Sequence, residues 1–125
     1  MKTRKSKTNE HSLEVQNYSV RIYPGRSSNA PTNISGMAMG YVILAGKGTL
    51  VHIEILPDGS KLPKPAYDPV KDSIEMCMNW CQLEGLMNLL QQADSVQAYY
   101  FEDGEGPWAD VEGQFVRKKK KAKGR

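Results

Sequence analysis

The segment Asp72-Ser-Ile-Glu-Met-Cys-Met-Asn79-Trp80-Cys-Gln-Leu-Glu-Gly-Leu-Met-Asn-Leu-Leu90 changes its apolar period halfway along. Up to Met78 the pattern alternates, with Ile74, Met76 and Met78 on one side, which is the mark of a strand. From Trp80 onward the apolar residues fall at 80, 83, 86, 87 and 90, the spacing of a single helical stripe. Asn79 stands between the two patterns as a helix N-cap, and Gln82 three residues on completes a capping box. These residues predict a strand over 72–78 and a helix from 80 to about 93–94. One helix over 69–93 is the alternative they allow. Trp80, Leu83, Leu86, Met87 and Leu90 are then expected in the core or at a dimer interface rather than around a cofactor.

Outward from this segment the chain reads mostly as strands. Leu13 to Tyr23 alternates, with Tyr18, Val20 and Ile22 opposite Asn17, Ser19, Arg21 and Tyr23. Pro24-Gly25 ends that strand, and residues 26–35, rich in Ser, Asn and Pro, read as a loop. Met37 to Ala45 is apolar apart from glycines, as expected of a strand covered on both faces or at an interface. Gly46-Lys47-Gly48 turns it into a second arm, Thr49 to Leu56, where Val51, Ile53 and Ile55 oppose His52 and Glu54. Pro57-Asp58-Gly59-Ser60 is a turn, and Pro63, Pro65 and Pro69 make 61–71 an extended connector. Ser95–Glu102 and Trp108–Val116 read as two closing strands around the acidic turn 103–107. The expected fold is α+β: an antiparallel sheet of about five or six strands with one principal amphipathic helix.

The chain has 125 residues and a formal charge of +3, but its charges are segregated. Residues 1–11 and 117–125 hold eleven of the 17 basic residues and one of the 14 acids. The body between them has six bases and thirteen acids, a net of −7. The two ends are expected to be disordered basic arms flanking a single domain over 12–116. Lysine-rich arms suit a polyphosphate backbone, because charge attraction there requires no fixed geometry. A solubility tail or a nuclear-import signal at Arg117–Lys121 is the competing reading. No apolar run reaches the roughly 18 residues of a membrane helix, so no membrane association is expected. Cys77 and Cys81 are too few for a disulfide framework, which points to a reduced, intracellular setting.

No catalytic constellation is visible. His11 falls in the basic arm and His52 lies mid-strand, where a structural role is expected. Cys77 and Cys81 are spaced neither for a redox motif nor for zinc, and the paired glycines at 46 and 48 or 104 and 106 read as turns. The expectation is no enzyme, no metal and no cofactor. The acids at 102–112 form a solvated loop that can pair with the neighbouring lysine tail in the free protein, as an electrostatic brake on weak binding.

Readers of single strands combine cations with aromatics on which bases stack. The candidates are Arg21 and Tyr23 on one strand face, then Arg26, Tyr41, Lys47, His52, Lys61, Lys64 and Tyr67, with Arg117, Lys118, Lys119, Lys120 and Lys121 in the tail. The expected function is sequence-tolerant binding of nucleic acid, single-stranded DNA (or RNA) in preference to duplex, by a homodimer. The alternative is a structural or assembly protein whose basic tails package nucleic acid or direct nuclear import.

The stretches Tyr18-Ser-Val-Arg-Ile-Tyr23, Val51-His-Ile-Glu-Ile-Leu-Pro-Asp-Gly59 and Ser73-Ile-Glu-Met-Cys-Met-Asn-Trp-Cys-Gln-Leu83 resemble the positive cofactor four and Whirly family. That family runs several antiparallel strands into a helix carrying Trp and Leu. The resemblance covers about 75 residues. It implies a dimer that binds single-stranded DNA on a curved sheet, with Arg21, Lys47, Lys61 and Lys64 on or beside the binding face. The body here is more acidic than is usual for the family, and strands follow the helix.

Overall fold

The computed structural model describes residues 9–23 and 38–116. These form β1 (Asn9–Glu14), β2 (Asn17–Ile22), β3 (Gly40–Ala45), β4 (Leu50–Leu56), β5 (Ala66–Asp68), β6 (Ser73–Asn79), a 3-10 turn (Trp80–Gln82), α1 (Leu83–Gln92), β7 (Ser95–Asp103) and β8 (Gly106–Gln114). The class is α+β, as the alternating and helical periods require, but the eight strands exceed the five or six expected and divide between two sheets. One sheet has the order β1-β7-β8, the other β2-β3-β4-β6-β5. Their inner faces share one core, in which Leu13, Ala98 and Tyr100 of the first meet Val42, Leu44, Val51, Ile53, Ile55 and Ile74 of the second, with Leu86 of α1. Each fully buried Val or Ile of that set contributes about 1.5–3 kcal/mol through removal from water.

All strand pairs are antiparallel except β4 with β6, which run parallel. The expected antiparallel pairing thus prevails, with one parallel pair added to it. Residues 57–72 cross from the end of β4 back to its start, so β6 enters alongside it with Ile53 opposite Met76. The connector expected over 61–71 contains the short strand β5, whose Tyr67 pairs with Ile74 at the sheet edge.

Two other expectations are corrected. Leu13 to Tyr23 is two strands rather than one: Val15 N–H donates to Val96 and Gln16 N–H to Ala45, so the chain changes sheets within two residues. His11 belongs to β1 instead of the basic arm, because its strand has a partner in β7 and its ring stacks on Tyr67 at 3.5 Å. Within the chain β3 is covered on one face, with Val42 and Leu44 buried while Tyr41, Ile43 and Ala45 are partly exposed, which leaves an interface as the alternative for its other face.

The strand-to-helix boundary falls where the change of period puts it. The Asn79 N–H donates to the Gln82 side chain at 2.9 Å, and the Asn79 amide reaches the Pro57 and Ser60 carbonyls, fastening the helix start to the β4 turn. Leu86 is buried and Leu83 and Leu90 pack on the core. Trp80 lies in the 3-10 turn ahead of the helix and is 38% exposed, so it is not in the core of the chain, and the dimer-interface alternative stays open for it. Cys77 and Cys81 are free and lie in different elements. No helix among the described residues is long and apolar enough to cross a membrane.

Candidate nucleic-acid interface

The outer face of the five-stranded sheet is built by pairing register. Arg21 of β2 lies opposite Tyr41 of β3, which lies opposite Glu54 of β4, which lies opposite Cys77 of β6. In the next row Ser19, Ile43, His52 and Glu75 align in the same order. Tyr23 follows β2, held by its N–H to the Met39 carbonyl at 2.8 Å. Alternation therefore brings four of the candidates onto one face, although they come from three strands.

Their side chains touch. The Tyr23 and Tyr41 rings meet edge to face at 6.2 Å, and Tyr41 lies 5.3 Å from the His52 ring. The Arg21 guanidinium stands 6.0 Å from the Tyr41 centroid, within cation–π range. Tyr41 and Tyr23 are partly exposed and Arg21 is exposed, so parts of two rings and a cation reach solvent together on this face. Such a set can stack bases and meet a phosphate, which is the chemistry of single-strand binding.

Toward β6 the face becomes acidic. His52 Nδ1 lies 3.6 Å from Glu75 Oε1, and Ser73 donates to the other Glu75 oxygen at 2.7 Å. Burial, then the charges of Glu54 and Glu75, push the Cys77 thiol up to about 11. The cation and aromatic half thus lies over β2–β4, and a carboxylate half borders it. Sequence reasoning missed Glu75, because its place beside His52 depends on a parallel pairing that no local pattern encodes.

The remaining candidates are dispersed, and Tyr67 lies in β5 at the far edge of the sheet, stacked on His11 and bonded to Asp72. Lys47 occupies the β3–β4 turn, at the strand end away from Arg21. Lys61 follows the Pro57–Ser60 turn at the opposite strand end. Lys64 lines a cleft of about 400 Å³ with Pro63, Cys77 and Trp108, beside β6. That edge is three strand spacings, about 14 Å, from β2. Arg26 and Arg117, Lys118, Lys119, Lys120 and Lys121 lie outside the described residues. Among the described residues no group of His, Cys, Asp and Glu is arranged to hold a metal ion. No protein-family model, curated protein or solved structure matches the chain.

Proposed function

We propose that this chain binds nucleic acid without catalysing its conversion, tolerates many sequences and prefers single strands. The observation that carries the reading is the contact of Arg21, Tyr23, Tyr41 and His52 on one exposed sheet face. In this mechanism the lysine-rich ends supply attraction at a distance, and the sheet face supplies stacking and one oriented cation. Duplex bases hide their faces, so a stacking platform discriminates against them. The resemblance to the positive cofactor four and Whirly family agrees with this reading, which takes the chain to act inside the cell.

A second reading has its own observation. Glu54 and Glu75 border the aromatic cluster and repel a phosphate backbone, which favours an assembly protein whose tails alone engage nucleic acid or an import receptor. Fluorescence anisotropy on labelled single-stranded and duplex oligonucleotides, with the full chain and a chain ending at Val116, separates the two. The sheet reading predicts that the shortened chain still prefers single strands. Loss of all binding on shortening supports the assembly reading, and no binding by either chain refutes nucleic acid as the partner in both readings.

A further inference from the structure

The outer face of the three-stranded sheet has a different character. Its cross-strand rows are Glu10–Phe101–Trp108, Ser12–Tyr99–Asp110 and Glu14–Gln97–Glu112. Three aromatics and four carboxylates therefore occupy one face, and β1, β7 and β8 contain no Lys or Arg. Trp108 is 49% and Phe101 37% exposed, although the opposite face of the same strands is core. Exposed aromatic area of this kind on one face marks a binding surface. Burial, then the charge of Glu112 and its hydrogen bond, hold the Tyr99 hydroxyl above its ordinary range, with Asp110 adding to the effect.

From this face we infer that the protein's own C-terminal segment, Arg117–Arg125, docks across β8, β7 and β1. Charge selects this occupant: seven cations without an acid meet four carboxylates without a base. Reach allows it. β8 ends at Gln114, and Val116 is held by its N–H to Asp94 at 2.5 Å, so the segment starts at the Glu14–Glu112 end of the face. Nine residues extend about 30 Å, and a nine-residue strand is about as long. Lysine ammonium groups set between the carboxylate rows also lie over Trp108 and Phe101, where cation–π attraction adds to ion pairing. The N-terminal arm starts at the other end of the face and has four cations against seven. Because the segment is tethered, its effective concentration is in the millimolar range, and weak contacts suffice to hold it.

The docking does not rest on the nucleic-acid reading, and its test contains no nucleic acid. The Trp108 indole N–H resonance, assigned with Trp80→Phe, is compared between the full chain and a full-length variant carrying Lys118→Gln, Lys119→Gln, Lys120→Gln and Lys121→Gln. A shift between them at low salt is expected, vanishing near 1 M salt, where the Debye length is about 3 Å. A synthetic peptide of residues 117–125 should restore the shift in the glutamine variant. Asp110→Asn with Glu112→Gln should abolish it, while the Trp80 resonance shows that the fold is intact. Identical Trp108 resonances in the chain and its glutamine variant would overturn the inference. So would a shift that grows with protein concentration, which would assign the segment to a second copy.

Discussion

Asp72 has a backbone φ of +53°, in the left-handed region that Asp and Asn tolerate better than other side chains do. Its carboxylate accepts from Tyr67 at 2.5 Å and from Thr49 at 3.0 Å. These donors, Tyr67 first, hold the Asp72 carboxyl below its ordinary value of 3.8. A carboxyl depressed in the folded state stabilises the protein above its unfolded pKa, and that stability disappears as pH falls through the folded value. Thermal melts should therefore show the native chain losing stability below about pH 4. Asp72→Asn keeps the backbone preference but removes the charge, and should flatten that acid limb. An unchanged limb would contradict the assignment. At Cys77 the raised thiol pKa of about 11 predicts little thiolate at pH 8. Alkylation followed by mass spectrometry should show Cys77 reacting appreciably only above about pH 10.

The elements show why only part of this was legible in the sequence. The boundary at Asn79 depends on local cap and period, so Ile74, Met76 and Leu86 take their expected places. The sheet change at Val15-Gln16 has no Gly or Pro to announce it, and its one local sign is a slip of the apolar positions from Leu13 and Val15 to Tyr18, Val20 and Ile22. The parallel register of β4 and β6 depends on a crossover whose endpoints are far apart in sequence. Gly46 marks the sheet change from the other side, since a Cβ there would meet the Leu13 side chain and come within 2.6 Å of the Glu14 carbonyl. Gly46→Ala should cost about 1–3 kcal/mol in denaturant unfolding. Strand edges also differ. β1 and β8 carry acids and β5 is flanked by prolines, whereas Arg21 is the only charged residue of β2, whose Tyr18, Val20 and Ile22 are 37–38% exposed. Charges and prolines are what keep edges from pairing. If the expected homodimer forms through β2, Val20→Lys should yield a monomer in sedimentation equilibrium. A dimer that survives this change would place the interface elsewhere.

In the whole molecule, charge is sorted by region: cations concentrate in the ends, carboxylates in the body, and a patch of aromatics with Arg21 lies on one sheet. Composition made the first two legible. The patch was legible only as a set of candidates, because Tyr41 and His52 meet Arg21 through strand pairing. With Lys47, Lys61 and Lys64 dispersed around the rim, the proposed function assigns strand preference to that patch and salt dependence to the ends. Seven tail contacts to a single strand would give a log–log salt slope near −5, at about 0.7 per contact. The most direct test compares the full chain with its Tyr41→Ala variant by anisotropy on labelled single-stranded and duplex oligonucleotides across salt. The variant should lose about 1–3 kcal/mol of single-strand affinity, keep its duplex affinity and keep the same salt slope. Equal affinities for single strand and duplex, unchanged by Tyr41→Ala, would show that the sheet face does not read nucleic acid.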